Sequence, residues 1–304
     1  MKFETLKSDL ILLLVALIWG VAFVAQRSGM EHVGPFTFNG LRFLLSSLAL
    51  LPFLIFTKND PKEKDIQKIR ENKAGLIKFG IISSLFLFAG ISFQQVGLVY
   101  TTAGKAGFIT GLYVVIVPIF GFILKLHKTS VNTWVGAILA SIGMYLLSVT
   151  NQFTISFGDF LILICSFCFA GHVLVIANYA KKYKTIQLSF IQSIICSLIS
   201  LIIAFVIEDV NIQGVINAAI PIIYGGVFSS AIAYSLQIYG QKRSHPAHAS
   251  IIMSFESVFA ALAGWIILNE LFTRRGLFGC ILILIGMLIS QLYRLNNKKK
   301  SVSL

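Results

Sequence analysis

Residues 97–118, GLVYTTAGKAGFITGLYVVIVP, and residues 236–257, LQIYGQKRSHPAHASIIMSFES, hold the reading that decides the fold. Placing Tyr100 on Tyr239 puts Pro118 and Ser257 each eighteen residues further along. Further along, Gly136 and Gly143 close the first half as a Gly-x6-Gly pair, and Gly279 and Gly286 close the second. Toward the N-terminus, Trp19-Gly20 is answered by Phe169-Ala170, and Pro35 to Arg42 by Thr185 to Gln192. The chain reads as one unit written twice. Each copy holds five apolar stretches, and an odd number of crossings turns the second copy upside down relative to the first. Inverted repeats of this kind build one path that opens alternately to either side of a membrane.

Composition points to the same class. Of 304 residues, 57% are hydrophobic and 12% are charged, with a mean hydropathy of +0.85. A soluble core does not hide that much apolar surface. Apolar runs of about 20 residues cross a hydrocarbon layer of about 30 Å. Ten are read here, at 10–26, 35–56, 76–99, 103–124, 131–149, 158–178, 186–207, 216–239, 246–268 and 276–293. They lack strand-like alternation, so helices rather than barrel strands are expected. The expected fold is an all-α integral membrane protein with ten transmembrane helices in two inverted five-helix repeats (5+5). The first repeat covers 8–150 and the second 156–293; 294–304 form a basic cytoplasmic tail, expected to be disordered from Asn296 on. The polar stretch from Thr57 to about Gly75 is expected to be a cytoplasmic loop or a short surface helix.

The net charge of +13 is placed by topology. With the N-terminus on one side, nineteen of the 25 basic residues fall on that face, including Lys2, Lys7, Lys58, Lys181, Lys242 and Arg294. The other face carries Arg27, Lys105, Arg274 and Arg275, while Arg42 and Lys78 lie inside helices. This bias places both termini in the cytoplasm and assigns the positive charge to topology and anionic lipid, not to nucleic acid. Lys2 and Lys7 before an apolar run resemble a signal peptide. Residues 10–26 have a repeat counterpart, however, so they are read as the first transmembrane helix.

Cys165, Cys168, Cys196 and Cys280 all lie in apolar segments. The Cys165-x-x-Cys168 spacing has no second pair and no partnering histidine, so the cysteines read as packing residues and no metal is expected. The chain has no HExxH, GxSxG, Walker A or GxGxxG motif, so no enzyme activity or cofactor is expected.

Polar residues set in apolar helices carry the functional reading. A charge near the centre of a membrane helix costs about 2.5–3.5 kcal/mol on insertion scales, so it faces a cavity or a partner. Glu256, about ten residues into the ninth run, falls near the midplane. It is read as a proton carrier or a holder of a cationic group, or else as a structural carboxyl bonded to a neighbouring helix. Arg42, about seven residues into the second run, is suited to a carboxylate or phosphate. It is equally able to pair with Glu256 or to snorkel outward. Gln94, Gln95, Tyr234 and Gln237 add hydrogen-bonding groups at depth. Adjacent Gln94 and Gln95 cannot face the same way, so at most one lines a cavity. Tyr113, His172 and Trp19 are further pathway candidates, and His248 joins Glu256 as a candidate for proton coupling. Gly107-x3-Gly111 matches the small-residue pattern of close helix contacts.

At these residues the chain resembles the drug/metabolite transporter superfamily, specifically the EamA-type ten-helix transporters. The resemblance rests on Trp19-Gly20-x2-Phe23, Pro35-x6-Arg42, Gly97-Leu98-x-Tyr100-Thr101-Thr102-Ala103 leading to Pro118, Glu256-Ser257-Val258-Phe259-Ala260, Gly264-Trp265, Asn269-Glu270 and Gly279-x6-Gly286. It departs from the family at Ser257, where a proline is usual, and at Lys125-Leu126-His127-Lys128, where an acidic residue is expected. The resemblance implies a gradient-driven exporter or exchanger of small metabolites such as amino acids, proton-linked or facilitated, in a cytoplasmic membrane. Its implied partners are a small-molecule substrate, protons and the lipid bilayer, and the chain is expected to be a monomer or weak homodimer. A flippase or carrier for a lipid-linked or amphipathic substrate is the alternative.

Overall fold

The computed structural model describes residues 2–56, 73–126, 129–148, 156–268 and 273–302. Every regular element among them is helical. In order these are α1 (Lys2–Gly29), α2 (Pro35–Phe56), α3 (Lys73–Tyr100), α4 (Ala103–Gly111), α5 (Tyr113–Ile123), α6 (Val131–Ser148), α7 (Phe157–Tyr179) and α8 (Thr185–Ile207). Then follow α9 (Ile212–Asn217), α10 (Ala219–Ile223), a π-helical segment (Tyr224–Ala233), α11 (Tyr234–Gln241), α12 (Pro246–Met253), α13 (Glu256–Leu268) and α14 (Arg274–Val302). Among the described residues, eight helical stretches are long and apolar enough to cross a membrane. The loop expected between 57 and 72, and the Asn269-Glu270 motif, lie outside the described residues.

Three expected boundaries are corrected. The fourth and ninth apolar runs are not single helices. The fourth divides at Leu112, whose N–H bonds the Ile109 carbonyl three residues back instead of four (3.2 Å). Pro118, inside the segment beyond the break, has no N–H for the Val114 carbonyl and crowds that oxygen. The ninth divides at Ser254–Phe255 without a proline. Ser254 Oγ donates to the Ile251 carbonyl (2.8 Å), and the Phe255 N–H turns to Ile252 instead (3.2 Å). A hydroxyl competing for a main-chain acceptor loosens the helix at that point. Finally, α14 runs through Asn296 to Val302, where disorder was expected, because no proline or glycine follows Gly286 to stop it.

Small residues bring the helices close. Gly136 and Gly143 on α6 meet the carbonyls of Gly286 and Gly279 on α14, which fixes the two helices as antiparallel. A methyl group at Gly136 would lie 2.5 Å from the Gly286 oxygen, so backbone meets backbone there only because both partners are glycine. Gly97 on α3 and Gly158 on α7 face each other's carbonyls in the same manner. The α2–α8 contact is polar, with Ser46 Oγ 2.8 Å from Ser193 Oγ and Ser197 Oγ donating to the Gly40 carbonyl (3.0 Å).

Contacts define the two ends of the bundle. At one, Ser8 Oγ donates to the Gly240 carbonyl, and His248 lies between Asp9 and Ser290. At the other, Arg27 Nη1 donates to the Leu98 carbonyl, and the Glu208 carboxylate accepts from the Phe36 and Thr37 N–H groups at the start of α2. Phe53, Phe122, Phe205, Val206 and Ile266 are exposed on the outside. An apolar belt of this extent is matched by lipid and not by water.

Candidate functional site

The helix breaks meet at the centre. Tyr113 is the first residue after the break at Leu112, and Glu256 the first after the break at Ser254–Phe255. Both are buried, and both side chains line one cavity. Neither the Tyr113 hydroxyl nor Glu256 Oε1 closes a hydrogen bond of regular geometry. A carboxylate on the first residue of a helix also faces the positive end of the helix dipole. Gly20 of α1 presses against the Glu256 carbonyl and the Ala260 N–H, where a methyl group would have only 2.8 Å to either. Gly107 and Gly111 face α13 from the other side, and Ser257 Oγ donates to the Gly107 carbonyl (2.9 Å). Thin neighbours thus let the midsection of a broken helix reach the cavity.

Arg42 lines the same cavity at 2% exposure. Its guanidinium carbon lies 5.6 Å and 5.1 Å from the ring centroids of Phe38 and Phe43, a cation–π arrangement. Gly225 and Gly226 of the π-helical segment leave room for it: a methyl at Gly225 would lie 3.2 Å from Arg42 Cδ. Arg42 Nε is buried without a hydrogen-bond partner, and among the described residues no carboxylate lies within ion-pair distance of the guanidinium. The sequence left pairing with Glu256 open. The two groups share one cavity and are not paired with each other.

Between the charges stands an aromatic wall. The Tyr234 ring is 5.0 Å from Trp19, 6.0 Å from Phe43 and 6.2 Å from His172, measured between centroids. Trp19 Nε1 donates to the Ser229 carbonyl (3.1 Å) within the wider π-helical turns. His172 Nε2 is 3.1 Å from Gln192 Nε2, and Gln94 Nε2 donates to Thr110 Oγ1 (3.2 Å). Gln237 lines the wall with a buried, unpartnered Oε1.

Of the pathway residues expected from sequence, Trp19, Arg42, Gln94, Tyr113, His172, Tyr234, Gln237 and Glu256 line this cavity. Gln95 does not; it is fully buried elsewhere, because adjacent residues on a helix point about 100° apart. His248 also lies outside, near the end of the bundle marked by Ser8. The lining includes residues that sequence reasoning passed over, chiefly Gln26, Thr110 and Met253. For Gln26 a signal was available, since it follows Phe23 at i,i+3 on one helix face; Thr110 and Met253 lie across a helix break from Tyr113 and Glu256. Among the described residues, no group of three or more His, Cys, Asp or Glu is arranged to hold a metal ion.

A sequence profile of the EamA-like transporter family matches the chain twice, over residues 6–149 and 156–292. An uncharacterized transporter of Archaeoglobus fulgidus is 34% identical over 289 residues, spanning 95% of this chain and 87% of the relative. The uncharacterized transporter YoaV of Bacillus subtilis is 22% identical, spanning 91% of this chain and 94% of its own length. A solved crystal structure shares the fold with a TM-score of 0.75 at 17% identity, covering 94% of this chain and 97% of that one.

Proposed function

Since the chain belongs to the EamA-like transporter family, and is therefore a multi-pass membrane transporter and not an enzyme, we propose that it is a gradient-driven exporter or exchanger of small metabolites such as amino acids. Ten crossings in two inverted five-helix repeats, 8–150 and 156–293, carry the path, and both termini and the 294–304 tail lie in the cytoplasm. The twofold family match and the antiparallel Gly136/Gly286 contact support that arrangement. One polypeptide supplies both halves, so a monomer or weak homodimer suffices.

A single observation carries the substrate reading: the Arg42 guanidinium and the Glu256 carboxyl line one cavity without pairing. A small zwitterion satisfies both, with its carboxylate on Arg42 and its ammonium on Glu256. Trp19, Tyr234 and Phe169 flank the remainder, favouring a substrate with an apolar or aromatic side group. Glu256 alternates between substrate and proton, which couples movement of the two, while Gln94, Tyr113, His172 and Gln237 orient the substrate.

Counterflow in proteoliposomes, with amino acids, amines, carboxylates and lipid-linked sugars offered in turn, tests this reading. Saturable exchange of a zwitterion that Arg42→Gln and Glu256→Gln both abolish is the expected result. Exchange confined to lipid-linked molecules, or unchanged in both variants, overturns it.

A further inference from the structure

Two aspartates, each close to a basic side chain, stand at opposite ends of the bundle, and they correspond across the repeat. Asp9 of α1 and Asp159 of α7 occupy equivalent positions when Trp19 is placed on Phe169. Asp159 Oδ2 lies 3.3 Å from Lys105 Nζ; Asp9 Oδ1 lies 3.3 Å from His248 Nε2. Lys105 is the third residue of α4, and His248 is the third residue of α12. Each pair is backed by a hydroxyl: Thr101 Oγ1 donates to Asp159, and Ser290 Oγ lies 2.9 Å from His248 Nδ1. Three of the four charged side chains are exposed by 12% or less, and Lys105 by 27%.

Each pair therefore fixes the start of a short helix whose other end is a break: α4 stops at Leu112 and α12 at Ser254–Phe255. The cavity residues Tyr113 and Glu256 begin the segments beyond those breaks. A short helix held at one end and hinged at the other can swing without dragging the cavity residues with it. We propose that Asp9–His248 and Asp159–Lys105 are the two end latches of the cavity, with α12 and α4 as the flaps they hold, released one at a time. The latches rest on the alternating-access reading above and add the residues that control it. Separating a mostly buried carboxylate from its partner leaves a charge to be rehydrated, so each latch has two discrete states, shut and wet.

Side-specific labelling tests the latches without a substrate. Ser229→Cys, in a background lacking Cys165, Cys168, Cys196 and Cys280, puts one thiol in the cavity lining. A sulfonated, membrane-impermeant maleimide is added to right-side-out or inverted vesicles. Asp159→Asn is expected to speed labelling about five- to tenfold from the Lys105 side alone, and Asp9→Asn from the His248 side alone. The double exchange Lys105→Asp with Asp159→Lys is expected to restore the parent rate. Lys105→Met and His248→Gln serve where an aspartate variant is not monodisperse. Acceleration from the same side by both aspartate variants, no acceleration, or an exchanged pair as fast as Asp159→Asn overturns the proposal. One-sided acceleration in vesicles that show no counterflow keeps the latches and discards the exchanger.

Discussion

The two broken helices reach one geometry by different chemistry. The segment beyond the α4–α5 break carries Pro118, whose missing N–H no rearrangement can restore. The α12–α13 break depends on hydroxyls: Ser254 takes the Ile251 carbonyl, and Ser257, at the position matching Pro118, donates to Gly107. A proline's missing N–H stays missing, whereas a serine hydroxyl bond can rearrange. The half carrying Glu256 is thus the more adjustable of the two, and the half carrying Tyr113 gives it a fixed counterpart.

Variants that exchange the chemistries separate the two breaks, beginning with the largest effect. Glu256→Val, which places the residue type of Val117 in the second break, is expected to lower counterflow about 100-fold, the scale of losing a buried charge contact worth about 2.7 kcal/mol. Gly20→Ala drives a methyl group into the α13 backbone beside Glu256. It is expected to destabilise the protein by about 1–3 kcal/mol, seen as a lower thermal unfolding midpoint in detergent. Ser257→Pro makes the second break resemble the first and removes the bond to Gly107. A loss of about 1 kcal/mol in the same assay is expected, with slower exchange. Ser254→Ala frees the Ile251 carbonyl for Phe255, so stability is expected to shift by less than about 1 kcal/mol while exchange slows severalfold. Equal exchange by Ser254→Ala and parent protein would mean that the second break does not need its hydroxyl.

The pair Gln94 and Gln95 gives the finest test of the cavity's outline. Gln94→Leu is expected to weaken substrate stabilisation in a thermal-shift titration, and Gln95→Leu to leave it within about twofold of the parent. The sequence narrowed this to one of the two residues; the backbone decided which.

Hydropathy made the membrane class and most of the helix positions readable, because apolar runs of bilayer length have few other uses. The charged residues stood out for the same reason, and Arg42 and Glu256 meet in one cavity. The ninth run hid its break because 246–268 has no proline beyond its first residue and nothing in its spacing tells that Ser254 bonds backward. His248 was visible as a polar residue in an apolar run, but its neighbours Asp9 and Ser290 lie far away in sequence, on different helices. Composition identifies a group that needs a partner; only packing supplies the partner.

The glycine crossing of α6 with α14 also governs how the protein is made. During synthesis α6 leaves the ribosome with the groove at Gly136 and Gly143 bare, and the helix that fills it comes only after the whole second half has been inserted. Until then a strip of main chain faces lipid or a temporary neighbour. The bundle is therefore locked by its late-arriving partner, and a premature stop before α14 yields a chain with an open seam, ready for quality-control proteases.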